Sequence, residues 1–467
     1  MEAFSRVSTL TAAAVVVAIL LSSTAFGEKT RNGEQVLSLP EILQMAFDHS
    51  PELAATRSET AAARSDLAQV KAAYYPQVDV TAVAGPVNDA KTPVIRDNRI
   101  TDPSPGLSLS SIGIFGRLDM TLTQPLYTFG KLSNREEAAL HGVKATQLEA
   151  AKTKAEIALR VKRLYYALIL ARQGVAAAKD ADGFFSDARK RISRLLQLGA
   201  DNVSESDLYR IDAYQADTLR SRAQAEEGMK VTYFALKALL GLAPKEDFRP
   251  AETTLGLGSR KLADLDSYIR QALKKRPEVR QLNQALLAGH AQVEAARSDR
   301  YPSIFAALRG SVAGAPGRDH LDNPYIPDEF NHAYAGVAVG LQWNLDFGIG
   351  RARVEEKEAK YNALMSTKQN AEMSIPIQVA QDYRALQEWR KSAEAYHKAV
   401  IASRKWVVSA MTSFDMGVGN AADMLNGIEK YGHNQEGYLQ ALFNYNMSLA
   451  RLDYAVGLSG RHSTTAE

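Results

Sequence analysis

Two periodicities alternate along the 467 residues, and the alternation occurs twice. A helix is predicted from Ser38 to about Ala73, opened by a capping box of Ser38 and Glu41 with Pro40 in its first turn, so that side chains satisfy backbone donors left open at a helix start. Tyr75-Pro76 ends it, because proline disfavours helical geometry in the residue before it. The period then falls to two: residues 77 to 85 place Val78, Val80, Ala82 and Ala84 on one face, and residues 303 to 312 place Ile304, Ala306, Leu308 and Val312 likewise. Polar loops containing Pro and Gly follow, at roughly 86 to 112 and 313 to 332.

A second strand returns in each half. Over 114 to 126, Ile114, Leu118, Met120 and Leu122 oppose Arg117, Asp119, Thr121 and Thr123. Over 334 to 345, Val337, Val339, Leu341, Trp343 and Leu345 oppose Tyr334, Gly336, Gly340, Gln342 and Asn344. Both strands have one apolar face and one polar or small face.

The halves are copies. Ala46 and Ala272, Pro51 and Pro277, Tyr75 and Tyr301, and Pro76 and Pro302 are all 226 positions apart, and Asp264 occupies the cap that matches Ser38. After the strands, "QPLYTFGKLSNREEAAL" turns at Phe129-Gly130, and Ser133 with Glu136 predicts a further capping box. No proline occurs from about 131 to 196, a helix of roughly 100 Å. Val143, Gln147, Ala150, Lys154, Ile157, Val161, Leu164, Leu168, Ala171, Val175 and Ala178 alternate steps of four and three, the heptad spacing of closely approaching, gently supercoiled helices. The second copy carries Pro376 in this helix, where a kink or local loosening is expected. Short turns end the long helices, at 196 to 208 and 414 to 425, and return helices end near Gly241 and Gly457. The division is therefore a first repeat at 28–242, a linker at 243–263, a second repeat at 264–457 and a tail at 458–467.

Arg6, an apolar run from Leu10 to Leu21 and small residues up to Gly27 read as a secretory signal peptide at 1–27; the run is shorter than the roughly 20 residues of a spanning helix. With no cysteine, an exported chain has no disulfide framework, no thiolate nucleophile and no Cys-borne lipid anchor. A net charge of +3, with both signs interspersed, excludes the concentrated basic footprint of a nucleic-acid binder.

Four amphipathic strands of membrane-spanning length leave sheet edges that do not persist in a bilayer. Arg117 on the lipid side would cost roughly 2 to 4 kcal/mol near the midplane, so Ile114, Leu118, Met120 and Leu122 are assigned to lipid and Arg117 and Asp119 to a lumen. Closure then needs several chains, 8 strands for a dimer or 12 for a trimer, and spacing alone leaves both open. Tyr127, Phe129, Trp343 and Phe347, at the handover from strand to helix, suit an aromatic girdle; ordinary core packing is the competing reading.

The duplication, the Pro-Glu near the start of each half, the Tyr-Pro exits, "PLYTFGK" and the Gly-containing tips together resemble the TolC family of outer membrane efflux proteins. The resemblance covers essentially the whole mature chain. It implies a mainly α protein with a small membrane β-barrel: a homotrimer sharing a 12-stranded barrel in the outer membrane of a Gram-negative cell, with long antiparallel coiled-coil helices forming a periplasmic barrel. It also implies a periplasmic adaptor, an inner-membrane pump of the RND or ABC type, no cofactor, and an exit duct for efflux or type I secretion.

On this resemblance the tips that contact an adaptor are Leu198, Gly199 and Ala200 and Met416, Gly417 and Val418, positions where glycine also serves as a helix C-cap. Three copies of Asp423 would form a negative ring at the periplasmic entrance, whereas Asn426 stands where relatives carry a second acid. Asp423 as a solvated first-turn acid is the simpler reading. Phe414 and Gly419 occupy the places of a Tyr and an Arg that latch the entrance in relatives, so that latch chemistry is not carried over.

Catalytic signatures are missing: no HExxH, P-loop, GxSxG or dinucleotide fingerprint occurs. His320, Asp322, Asp328, Glu329 and His332 have no tight metal-ligand spacing and read as a solvated outer loop rather than a metal site. The rivals are a periplasmic coiled-coil structural or adaptor protein without a pore, whose β segments only cap its helices, and a secreted enzyme with an unrecognised site.

Overall fold

The computed structural model describes residues 35–91, 95–100, 112–322 and 324–458. The expected leader at 1–27, nearly all of the tail at 458–467 and part of the loop at 86–112 lie outside the described residues. In chain order the elements are β1 (Gln35–Leu37), α1 (Leu39–His49), α2 (Pro51–Ala72), β2 (Gln77–Asn88), a short hairpin of β3 (Ile95–Arg96) and β4 (Arg99–Ile100), β5 (Ile112–Tyr127), α3 (Lys131–Gln197) and α4 (Glu205–Leu239). Then come β6 (Phe248–Pro250), α5 (Leu265–Lys275), α6 (Pro277–Ser298), β7 (Ser303–Gly314), β8 (His332–Gln342), α7 (Ile349–Asp415) and α8 (Ala421–Ala455). Both halves carry helices of 11 and 22 residues, a 12-residue strand, and helices of 67 and 35 residues in the same order.

Several local expectations are corrected. The single helix expected from Ser38 to Ala73 is two helices, broken where Ser50 turns extended at φ −77° and ψ 113°. Pro51 causes this by restricting the residue before it, and Arg276-Pro277 repeats the break in the second half. The caps of α1 and α5 form as expected: Glu41 accepts the Ser38 N–H at 2.8 Å, and Asp264 accepts from the Ser267 N–H at 3.0 Å. The box at Ser133 does not form. Phe129 and Gly130 both adopt positive φ, 51° and 90°, and reverse the chain so tightly that α3 starts at Lys131. Ser133 donates to the Gly130 carbonyl at 3.3 Å instead, and Glu136 pairs with Lys71 at 3.8 Å. The helix α7 runs without interruption through Pro376.

The chain forms two compact units. The first gathers residues up to Ala55, Ala150–Val279 and Glu372 onward. One of its cores joins Ile42, Val161, Leu168, Ile169, Leu236, Leu240, Phe248 and Leu442; a second joins Phe185, Ala188, Ile192, Ile211, Val407, Phe414, Met424 and Ile428. Of the heptad positions, Ile157, Val161 and Leu168 are buried as expected, whereas Lys154 is exposed with its ammonium 4.6 Å from the ring centroid of Phe47. The linker is strapped onto this unit. Its β6 pairs in parallel with β1, the Leu255 N–H donates to Gln173 at 3.1 Å, and Arg260 meets Asp453 at 2.7 Å.

Tyr165 is buried in the first core, and its hydroxyl has no hydrogen-bond partner among the described residues. Tyr165→Phe is therefore expected to leave stability unchanged or raise it by about 1 kcal/mol, since it removes an unmet polar group. Denaturant unfolding checks this; a clear loss of stability would mean that the hydroxyl is bonded.

The second unit, Thr56–Glu149 and Arg280–Ala371, holds a four-stranded antiparallel sheet in the order β2-β5-β7-β8 and the short β3-β4 hairpin. Its helices follow the same order. Lys71 on α2 pairs with Glu136 on α3, Arg135 on α3 with Asp299 just past the end of α6 at 2.9 Å, and Arg297 on α6 with Glu358 on α7 at 2.6 Å. The strands exceed the expected ranges at their loop ends, but β8 stops at Gln342, so Trp343 and Leu345 lie beyond the last paired residue. The pairing strand explains the stop: β7 begins at Ser303 opposite Gln342, and Pro302 before it has no N–H to donate.

Candidate functional site

Residues opposite one another in an antiparallel sheet share a face, so the register sorts every side chain of the four strands. One face carries the rows Val78-Leu122-Leu308-Val337, Val80-Met120-Gly310-Ala335 and Ala82-Leu118-Val312-Ala333. It is open, with Ile114 76%, Val337 75% and Val339 70% exposed, far more apolar surface than a soluble chain leaves in one patch. The other face carries Asp79-Thr121-Arg309-Gly336, Thr81-Asp119-Ser311-Tyr334 and Val83-Arg117-Ala313-His332. Here Arg117 pairs with Asp119 at 2.9 Å, and Ser311 donates to Asp119 at 2.8 Å and contacts His332 Nε2 at 2.8 Å. The two candidates Arg117 and Asp119 are thus brought together, with Ser311 and Arg309 as companions that sequence spacing did not single out, and with His332, which it had placed in a solvated outer loop. The outer edges of β2 and β8 have no strand partner among the described residues.

The aromatic candidates gather at the helix end of the sheet. Tyr127 and Phe129 meet edge to face at 4.5 Å, and Phe129 stacks on Tyr301 at 6.0 Å. Trp343 donates its indole N–H to the Arg300 carbonyl at 3.0 Å, and Phe347 is fully exposed.

At the loop end, Asp328 accepts the N–H groups of Leu321, Phe330 and Asn331, each at 3.0 Å. These bonds, Leu321's foremost, hold its carboxyl below the ordinary aspartate value, with His320 adding to the effect at 4.0 Å. His332 bonds the Asp328 carbonyl at 2.8 Å through Nδ1. Because the folded carboxyl is the more acidic, its contribution is present at neutral pH and is lost as pH falls through the depressed value, below about 4. Acid-protease cleavage of this loop is expected to rise across that window, and a flat profile would contradict the clasp. Asp328, His332 and His320 are engaged in this way, and among the described residues no group of three His, Asp or Glu is placed to hold a metal.

The tips belong to the first unit. At the end of α3, Gly199 takes φ 71° and the Ala200 N–H bonds the Leu195 carbonyl at 3.1 Å; at the end of α7, Gly417 takes φ 76° and the Val418 N–H bonds the Ser413 carbonyl at 3.1 Å. These are glycine C-caps. They leave Leu198 75%, Met416 66% and Val418 80% exposed, apolar side chains at otherwise polar turns.

Asn420 caps α8 by accepting the Asp423 N–H at 2.7 Å. Asp423 and Asn426 are both exposed on that helix, and Asp423 also accepts the Trp406 indole N–H at 3.1 Å. Trp406 lies 17 residues away on α7, and no local pattern announces the contact. Phe414 is 1% exposed inside the second core. Arg191 pairs with Asp415 and Arg189 with Asp212, exposed ion pairs near the tips that sequence reasoning missed.

A methyl at Gly419 would stand 2.8 Å from the Phe414 backbone nitrogen. Gly419→Ala is therefore expected to destabilise this tip by about 1 to 3 kcal/mol, the usual range for forced overpacking. Faster proteolytic nicking near Gly417 would report it, and unchanged cleavage would show that the turn relaxes freely.

An open apolar face, a polar face opposite it and paired long helices are the fold of an outer-membrane channel subunit. The chain belongs to the outer membrane efflux protein family, whose profile matches residues 42–242 and 268–458. It is 23% identical over 397 residues to protein CyaE of Bordetella pertussis, covering 83% of this chain and 77% of that one. To the outer membrane protein TolC of Vibrio cholerae it is 22% identical over 432 residues, covering 90% of each. The solved outer membrane protein VceC of Vibrio cholerae superposes with a TM-score of 0.72 at 17% identity, over 90% of this chain and 96% of that one. The protein is thus a pore protein of the Gram-negative outer membrane and not an enzyme.

Proposed function

We propose that three copies of this chain close their sheets into one 12-stranded barrel and form the exit duct of a tripartite efflux or type I secretion system. The observation that carries this is the four-stranded sheet with an open apolar face and two edges that have no strand partner among the described residues. In a bilayer each edge must meet another, and joining β2 of one copy to β8 of the next satisfies every edge at once. The apolar rows then face lipid and the rows of Asp79, Arg117, Asp119 and Arg309 face water, with Tyr127, Phe129, Trp343 and Phe347 at the interface. Secretion of a polypeptide is supported by a further relative, 22% identical over 355 residues, named alkaline protease secretion protein AprF.

On this reading the exposed tips, Leu198, Gly199 and Ala200 with Met416, Gly417 and Val418, receive a periplasmic adaptor that links the duct to an inner-membrane pump, and the pump supplies the energy. Asp423 lines the periplasmic entrance with Asn426 one turn on, and three such carboxylates favour cations. Trp406 holds each carboxylate in place. Phe414 and Gly419 shape the turn behind it, Phe414 by packing and Gly419 by letting two backbone segments approach.

The test is the mass of the detergent-extracted protein together with its single-channel conductance. A trimer with cation-selective conductance is expected, and a water-soluble monomer would overturn the reading. Asp423→Ala is expected to lower cation selectivity, and selectivity identical to the parent would remove Asp423 from the constriction.

A further inference from the structure

We propose that the connection between β7 and β8 is a cap seated across the outer end of the duct, and that Phe330, Arg318 and Phe115 limit the size of cargo that leaves there. This rests on the reading of the polar face as the wall of a water-filled duct.

Phe115 alternates along β5 with Arg117 and Asp119, so it stands on the polar face near the end farthest from the helices. Phe330, from the connection, packs edge-on against it with ring centroids 5.1 Å apart. The Arg318 guanidinium lies 4.2 Å from the Phe330 ring centroid and donates to the Asn88 carbonyl at 2.8 Å. Connection and β2 end are also stitched through the backbone, Ala90 donating to Gly317 at 3.2 Å and Asp319 to Ala90 at 2.8 Å. Asn331 accepts the Ala315 N–H at 2.8 Å, and Asp328 gathers the three N–H groups described above.

Burial gives the direction of the fold-over. Ser311, Ala313 and Ala315 are buried while Val312, Gly314 and Pro316, which alternate with them, are exposed. Something therefore covers the polar side of this strand end and leaves its apolar side open. His332 reaches Ser311 at 2.8 Å and Asn331 holds the Ala315 N–H, so the limb Asp328–His332 lies against this strand end. A connection that merely extended outward would bury neither side. Three copies would bring three aromatic and cationic wedges toward one axis, narrowing the mouth of the barrel beyond what its walls impose.

The chain has no cysteine, which makes the test clean. Thr121→Cys places one thiol on the polar face, in the row of Asp79 and Arg309 and deeper than Phe115. In the purified trimer a small water-soluble maleimide is expected to label it; failure there would sink the duct reading itself. On intact cells, maleimide polymers of graded size, too large to enter the periplasm, reach the thiol only through the outer mouth. Phe330→Ala and Asp328→Ala are each expected to raise the labelling rate for the larger polymers severalfold, while Tyr325→Ala, at a position 92% exposed, leaves it unchanged. Should the alanine variants not reach the membrane, Arg318→Gln, which removes the stack on Phe330 and the bond to Asn88, is the second variant. Rates identical to the parent in folded, membrane-inserted variants would overturn the cap and leave the duct standing.

Discussion

Phe414→Ala is expected to destabilise the tip-proximal core by about 3 to 5 kcal/mol, the usual cost of truncating a buried aromatic side chain. The ring is 1% exposed among Phe185, Ile192, Val407, Met424 and Ile428, contributed by α3, α7 and α8. Its removal leaves a cavity that three rigid helices do not collapse to fill. Phe414→Leu keeps most of that volume and is expected to lose less than half as much. Denaturant unfolding, with proteolysis at Gly417 as a local probe, measures both. A loss below about 1 kcal/mol for the alanine variant would take Phe414 out of the core. Phe414→Tyr is expected to lose stability too, because it buries a hydroxyl in an apolar core.

Met120→Arg is expected to abolish stable insertion into the outer membrane. Met120 lies midway along β5 on the open apolar face, between Val80 and Gly310 of the neighbouring strands. A cation facing lipid near the midplane costs about 2 to 4 kcal/mol, and a threefold assembly carries that cost three times. Thr121→Arg, the next residue, places the same charge beside Asp79 and Arg309 on the opposite face and is expected to be tolerated. The amount of each variant recovered from washed outer membranes decides it. Equal loss of both, or equal recovery of both, would show that the two faces do not differ in their surroundings.

Much of this was legible in the sequence because period-two patterning and duplication are statements about faces and order, and both survive folding unchanged. The alternation of Ile114, Leu118, Met120 and Leu122 against Arg117, Asp119, Thr121 and Thr123 fixed the two faces before any register was known. Termini were less legible. Pro51 and Pro277 break helices that hydrophobic spacing alone would continue, and Phe129-Gly130 starts a helix three residues ahead of the polar cluster that resembles a cap. Trp406 on Asp423, Phe330 on Phe115 and Arg318 on Phe330 were not legible at all. Such contacts depend on which turn of one helix faces another, or on how a loop folds back, and neither leaves a spacing to find.

The pairing of β1 with β6 bears on how the chain assembles itself in time. Gln35–Leu37 and Phe248–Pro250 bracket the first half, so their union closes a loop of roughly 200 residues, and the entropy of closure grows only logarithmically with that length. A chain delivered amino-terminus first can form the backbone pairing of this clasp once the linker has emerged, although the core around Leu37 and Phe248 is completed only by Ala393, Ala441 and Leu442 of the second half. The clasp thus brackets the first repeat, and the second repeat supplies the residues that seal the core behind it.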